Sequence, residues 1–142
     1  MTKFLKKEEG AVFPLAGALI MALIAMAGLL VDGGMAVYQY NKLTGAVDAA
    51  AIGTLDAYDR DVWEDDGEIE IDQSQAYSLA NQYLTDNMED ASISHLEVED
   101  ESITVNAEAT ASLFFMTIFG QEEFTIEAMA STSLDDANDE ND

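Results

Sequence analysis

The sequence predicts an α+β protein: one long N-terminal helix, then a small domain with one further helix and an antiparallel sheet of three or more strands. Three observations predict it. No charged side chain lies between Glu9 and Asp32, and the residues in that interval are mostly apolar. Apolar residues recur at helical spacing over 36–54 and again over 76–84. Beyond residue 93 the apolar positions alternate with polar ones, which is typical of strands with one buried face.

The apolar run Ala11–Val31 has the length of a membrane span. Its 21 residues would form a helix roughly 31 Å long, close to the ~30 Å hydrocarbon thickness of a bilayer. Pro14 falls in the first turn, where its missing N–H costs least. A buried core helix is the alternative, but such helices are usually shorter and carry a polar stripe. The run is also too long for the apolar region of a secretory signal peptide.

The charges predict how the chain crosses the membrane. Lys3, Lys6 and Lys7 precede the apolar run, whereas residues 32–142 carry 27 acidic side chains and two basic ones. Basic residues favour the cytoplasmic side. We therefore expect a single-pass cell-membrane protein with a cytoplasmic N-terminus and an extracytoplasmic C-terminal domain. The expected parts are a cytoplasmic n-region (1–10), a transmembrane helix (11–31), a helical stem (32–59), a small α+β domain (60–134) and a disordered acidic tail (135–142).

The acidity limits the partners. A net charge of −24 repels phosphate backbones, so nucleic-acid binding is not expected. Solubility in high salt, attraction of divalent cations and attraction of a basic partner would each account for the charge, and the sequence does not choose among them. The chain has no cysteine, so neither disulfides nor thiolate metal sites exist.

The stem continues the helix of the membrane span. We predict one helix from about residue 11 to 58, with Gly33-Gly34 as the place where it would bend. Small and apolar residues follow one face of its outer half, suited to packing on another helix or on the chain's own domain. They are Ala36, Tyr40, Leu43, Val47, Ala50 and Thr54.

The small domain combines a helix with strands. Asp72 or Ser74 is expected to cap a helix that ends near Met88. Its buried face is predicted to comprise Ala76, Leu79, Ala80, Tyr83 and Leu84. A hairpin follows. The residues expected on its inward, mainly apolar face are Ser94, Leu96 and Val98 in one strand and Ile103, Val105, Ala107, Ala109 and Ala111 in the other. The run 113–120 is expected to be a short helix or a bulged crossover, and a third strand carries Phe124, Ile126, Ala128 and Ala130.

Residues that would carry catalysis or bind a cofactor are not apparent. The single histidine, His95, lies on the polar side of a predicted strand, and no phosphate loop or paired-histidine motif exists. A calcium loop with Gly67 at its sixth position would place Val62 first and Gln73 twelfth, so that motif fails. The acidic cluster Asp65, Asp66 and Glu68 is better explained as a solvated charge run. We expect no enzyme, no metal site and no cofactor.

Small residues also mark one stripe of the membrane span. At alternating spacings of four and three, the stripe comprises Ala11, Leu15, Ala18, Ala22 and Ala25. Small side chains allow another helix to approach closely in lipid, where packing drives association. The stripe is therefore a candidate surface for lateral helix contacts, although alanine is also simply common in membrane helices.

Three segments together resemble the Tad (tight-adherence) pilus-assembly proteins of the TadE/TadG type. They are GAVFPLAGALIMALIAMAGLLVDGG, QYNKLTGAVDAAAIG and VNAEATASLFFMTIFGQEEFTIEAMASTS, within residues 10–55 and 103–133. The most specific match is Asp32 followed sixteen residues later by Asp48 in VDAAAIG. The resemblance implies a single-pass, non-enzymatic protein that assists assembly or anchoring of a Flp-type type IV pilus. It also implies an oligomeric assembly in which the stem contacts other pilus or secretion-system membrane proteins.

The family resemblance raises the question of processing. TadE-like members resemble pilins and are cut after a glycine, with a glutamate five residues beyond the cut. Here Gly10-Ala11 is the corresponding bond, but the fifth residue after Gly10 is Leu15. This departure favours an uncleaved, TadG-like anchor. The alternatives are a minor pilin cleaved after Gly10 and built into the fibre, and a membrane-tethered acidic module that binds divalent cations.

Overall fold

The computed structural model describes residues 9–57, 71–99 and 102–133, with side chains from residue 12 onward. The expected α+β architecture is confirmed. Two α-helices, two short 3₁₀ helices and three strands make up the described chain: α1 (Glu9–Gly53), a 3₁₀ helix (Thr54–Ala57), α2 (Gln73–Asn87), β1 (Ala91–Glu99), β2 (Ser102–Ser112), a second 3₁₀ helix (Met116–Phe119) and β3 (Glu123–Ser133).

Several expectations fall on residues that the structure does not describe. They concern most of the n-region, the acidic segment Arg60–Glu70, the turn at Asp100-Glu101 and the acidic tail.

Helix α1 is a single helix of 45 residues, about 68 Å long at 1.5 Å per residue. It passes through Gly33 and Gly34 without interruption and ends at Gly53, a few residues before the predicted end. The chain then tightens into the first 3₁₀ helix. Its first part, which we call the apolar half (residues 12–31), is long and apolar enough to cross a membrane, and none of its most apolar window is buried.

Helix α2 begins where its cap was predicted. Asp72 is extended, at φ −69° and ψ 110°, and its carboxylate accepts hydrogen bonds from the backbone N–H of Ser74 (2.8 Å) and Gln75 (3.0 Å). The Ser74 hydroxyl donates a third bond at 2.6 Å. Such a cap satisfies N–H groups that have no partner within the helix. Of the two predicted candidates, Asp72 is therefore the cap.

The three strands form one antiparallel sheet in the order β1-β2-β3. The predicted hairpin and third strand are present, and the inward row of β2 is buried as expected. The inward position assigned to Ser94 is wrong. The pairing of β1 with β2 shifts between Ile93 and His95, so Ser94 is exposed and Ile93 takes the half-buried position. An extra residue of this kind is a β-bulge.

The second part of α1 lies in the core that the sheet and α2 form. We call residues 34–53 of α1, together with α2 and the sheet, the head. Its core is rich in alanine and comprises Leu43, Ala46, Val47, Ala50, Ala51, Ala80, Leu84, Met88, Ala91, Ile103, Val105, Ala107, Ala109, Ala111, Ile126 and Ala128. Small side chains allow the helices and sheet to approach closely.

The packing face predicted for the outer half of α1 is partly confirmed. Leu43, Val47 and Ala50 on that face are buried, while Tyr40 is exposed.

Candidate functional site

A buried polar contact beside the head joins α1 to the segment between β2 and β3. We call this segment, Leu113–Gly120, the aromatic loop. Asp32 Oδ1 accepts hydrogen bonds from the backbone N–H of Phe114 and Phe115, both at 2.9 Å. Asp32 Oδ2 accepts from Phe115 at 3.0 Å and from Met116 at 2.7 Å. One carboxylate therefore holds three successive backbone N–H groups at the start of the second 3₁₀ helix.

This carboxylate is buried, with only 3 % of the Asp32 residue exposed. Burial by itself disfavours the charged form and raises a carboxyl pKa. Here the backbone hydrogen bonds from Phe115, Met116 and Phe114 outweigh burial, and the pKa of Asp32 lies below its ordinary value of 3.8. Asp32 is therefore an ionised, fully satisfied acceptor at neutral pH. It serves as a fixed attachment for the loop.

A glycine one turn earlier makes room for the loop. The ring of Phe115 packs directly on Gly28, and a Cβ at that position would overlap the ring. Phe115 also lies near Phe119, with ring centroids 6.3 Å apart and planes inclined by 56°, which is a favourable tilted arrangement. Gly28 and Asp32 are four residues apart and share one face of α1.

The same face makes a third contact farther along the helix. Gln39 Oε1 accepts a hydrogen bond from the backbone N–H of Ser112 at 3.1 Å. Spacings of four and seven residues keep Gly28, Asp32 and Gln39 on one face. We call these three residues the junction face, because they attach the end of β2 and the aromatic loop to the boundary between the apolar half and the head.

The loop is closed by its own backbone. The N–H of Leu113 donates to the carbonyl of Glu122 at 2.8 Å, and the Thr117 hydroxyl donates to the carbonyl of Leu113 at 2.8 Å. Gly120 has φ 81° and ψ 13°, a left-handed conformation that glycine adopts without strain. Its N–H donates to Thr117, which ends the short helix. The loop is thus a defined turn held against α1.

The other residues singled out from the sequence lie apart from the junction face. Asp48 is exposed on α1. It follows Asp32 by sixteen residues of the same continuous helix, about 24 Å along the axis, so the structure does not bring the two together. On the small-residue stripe, Leu15, Ala18 and Ala22 are exposed and Ala25 is half-buried. Gly10 and Ala11 lie within the first turns of α1.

The contacts of the junction face attach the aromatic loop to α1. His95 is exposed on β1. Across the part of the chain that the structure describes, no three acidic or histidine side chains are grouped closely enough to hold a metal ion. The acidic cluster at 65–68 lies outside that part.

The contact between Asp32 and the aromatic loop was not predicted from the sequence. Its signals were that Asp32 is the one charged residue between Glu9 and Lys42, and that no charge occurs between Glu108 and Glu122.

Comparison with known proteins gives one match. Residues 10–54 match the family model described as Flp pilus-assembly TadE/G-like. This segment contains the apolar half, the junction face and the part of α1 that lies in the core of the head. The predicted resemblance is thereby confirmed over α1, while its extension to 103–133 stays a prediction. No curated protein and no solved structure matches the chain significantly.

Proposed function

We propose that this chain is a non-enzymatic, single-span membrane protein which assists assembly or anchoring of a Tad/Flp-type pilus. The proposal starts from the match of residues 10–54 to the TadE/G-like family model of Flp pilus-assembly proteins. In this proposal the apolar half of α1 crosses the membrane with the N-terminus in the cytoplasm. The head lies on the opposite side and contacts pilus or secretion components.

The observation that carries the proposal is the continuity of α1. The same helix supplies an apolar half that contacts little of its own chain and the central helix of the head, where Leu43 and Val47 are fully buried. No linker separates the two parts. Because a continuous helix resists bending, a load on the head is transmitted directly to the membrane segment. The junction face reinforces this connection through Asp32 and Gln39. Such a rigid connection suits a scaffold or anchor.

Lateral contacts in the membrane are expected along the small-residue stripe. Ala18 and Ala22 are exposed and free of the head, so another helix could approach them closely. The chain has no cysteine, which allows single cysteines to be introduced cleanly. Under oxidation in membranes, cysteine at Ala18 or Ala22 should form cross-links to another copy or to a pilus-assembly membrane protein carrying a matching cysteine. Ile20 and Ile24, on the opposite face, provide the matched controls. Equal cross-linking on both faces would contradict a defined packing stripe.

A cellular experiment tests the function itself. Deletion of the gene in the producing cell should remove or strongly reduce surface pili seen by electron microscopy, and a plasmid copy should restore them. Restoration should fail for a copy whose apolar half is replaced by a cleavable signal peptide, although the head is still exported. Normal piliation after deletion, or full restoration by that unanchored copy, would contradict the proposed role.

The alternative is a minor pilin. An apolar helix protruding from a head is a shape that also packs inside a fibre, and this geometry favours the alternative. Against it stands Leu15, where the pilin-type pattern has glutamate. Intact mass of the protein from membranes and from sheared pili separates the two. Retention of residues 1–10 in the membrane form supports the anchor, and their loss with recovery in the fibre supports the pilin.

A further inference from the structure

The aromatic loop presents large apolar side chains to the surroundings. Phe114 is 84 % exposed, Ile118 73 % and Phe119 69 %. No charged residue occurs from Ala109 to Gln121, in a chain whose net charge is −24. An uncharged patch of this kind on an otherwise highly acidic protein marks a surface that is covered in the working state.

The position of the loop indicates what covers it. Phe115 packs on Gly28, which lies within the apolar half and three residues before its end at Val31. Three residues of helix correspond to roughly 4.5 Å. Wherever the apolar half meets the bilayer surface, the loop is therefore beside it, at the depth of the last turn of the span. The surface is continuous with the segment proposed to cross the membrane.

The backbone of the loop is suited to an apolar environment. Inside a bilayer, each unsatisfied N–H or carbonyl group is costly. Asp32 accepts from the N–H groups of residues 114, 115 and 116. The N–H groups of residues 113, 118, 120 and 121 donate to backbone carbonyls of the loop region. The loop thus exposes apolar side chains while most of its polar backbone donors are bonded.

We propose that the aromatic loop inserts into the leaflet of the bilayer that surrounds the outer end of the apolar half, where lipid covers Phe114, Ile118 and Phe119. The inference rests on the proposed function in one respect: α1 must cross the membrane. The loop is then a second point of attachment beside the helix. Two points fix the orientation of the head relative to the membrane plane, and Asp32 maintains the spacing between them.

The test uses the full-length chain in phosphatidylcholine vesicles, because an uncharged lipid surface does not repel the acidic head. Single cysteines are placed at Ile118 in the loop, at Leu19 in the apolar half and at Met129, an exposed residue of β3. Each is labelled with an environment-sensitive fluorophore and exposed to aqueous iodide or to spin-labelled lipid. Circular dichroism establishes that each labelled protein is folded.

The expected result is that the labels at 118 and 19 show blue-shifted emission, are quenched by spin-labelled lipid and are shielded from iodide. The label at 129 should show the reverse. If 19 is shielded but 118 behaves like 129, the loop inference is overturned and membrane anchoring stands. If 19 is also open to iodide, both are overturned. Shielding at 118 that disappears as protein is diluted in lipid would show that a second copy covers the loop, which also overturns lipid insertion.

Discussion

Asp32 and Phe115 lie 83 positions apart in the chain, yet both carboxylate oxygens of Asp32 accept hydrogen bonds from the Phe115 backbone N–H, at 2.9 and 3.0 Å. The Phe115 ring simultaneously occupies the space above Gly28. Phe115 thus makes two contacts with α1: its backbone N–H bonds to the Asp32 carboxylate, and its ring packs on Gly28, one helical turn earlier. The aromatic loop is therefore fixed at the boundary between the apolar half and the head by a hydrogen-bonded contact and a packing contact. Substitutions of Asp32 and Gly28 test the two contacts separately.

The first prediction concerns Asp32→Asn. Asp32 Oδ1 accepts hydrogen bonds from the backbone N–H groups of Phe114 and Phe115, and Oδ2 accepts from those of Phe115 and Met116. An amide replaces one oxygen by an NH₂ donor, so in either orientation it faces a backbone donor. Charge-assisted bonds are also the stronger class. We expect the amides of residues 114–116 to exchange hydrogen roughly tenfold or more faster, measured by hydrogen–deuterium exchange in micelles.

Asp48→Asn is the matched control for that experiment. It removes the same charge from the same helix, at an exposed position. Its effect on exchange in the aromatic loop should be negligible. Equal acceleration in both variants would mean that net charge, and not the Asp32 contact, controls the loop.

The second prediction concerns Gly28→Ala. The new methyl group would overlap the Phe115 ring, and overpacking of this kind costs about 1–3 kcal/mol. In a Phe115→Ala background the ring is gone, so the same substitution should cost little. The non-additivity, measured by thermal unfolding in detergent, reports the contact between the two residues. Gly33→Ala, where a Cβ meets nothing within 4 Å, should not be destabilising. Additive effects of the Gly28 and Phe115 substitutions would contradict the packing.

The elements could be predicted from sequence because their signals are local. The seam through Leu43, Val47 and Ala50 has helical spacing and is buried, and Asp72 caps the helix that follows it. The alternation in β2 likewise predicts its inward row. Each signal needs only neighbouring residues, so no knowledge of the rest of the fold is required.

The long-range relationships could not be predicted in this way. The bulge at Ser94 depends on how β1 aligns with β2, and a single extra residue leaves little trace in the hydrophobic pattern. The docking of the aromatic loop on α1 joins Gly28 and Asp32 to residues more than 80 positions away. The sequence marks Asp32 as an isolated charge, but it does not indicate which donors satisfy that charge.

The third prediction tests the core of the head. Leu84, on α2, is fully buried in the core of the head, and its replacement by alanine should lower the free energy of unfolding by about 2–5 kcal/mol. Ile52→Ala removes apolar volume from an exposed position of α1 and should change it by no more than about 0.5 kcal/mol. Denaturant unfolding of the full chain in detergent measures both. If the two variants were equally stable, the assignment of Leu84 to the core would be wrong.

The fourth prediction follows the pH dependence of the α2 cap. Hydrogen bonds from the Ser74 side chain and from the backbone N–H of Gln75 and Ser74 hold the pKa of Asp72 below its ordinary value of 3.8. Below pH 3.8 the unfolded chain therefore binds a proton that the folded chain resists. The stabilisation by Asp72 is fully present above that pH and is lost as the pH falls through the lower, folded-state pKa. Asp72→Ala should thus be less stable than wild type at pH 6–7, and the difference should shrink progressively below pH 4.

Because protonation of the many other carboxylates changes both proteins alike, the informative quantity is the difference between their unfolding free energies at each pH. A difference that stayed constant from pH 7 to pH 2 would mean that the charge of Asp72 does not contribute to the cap.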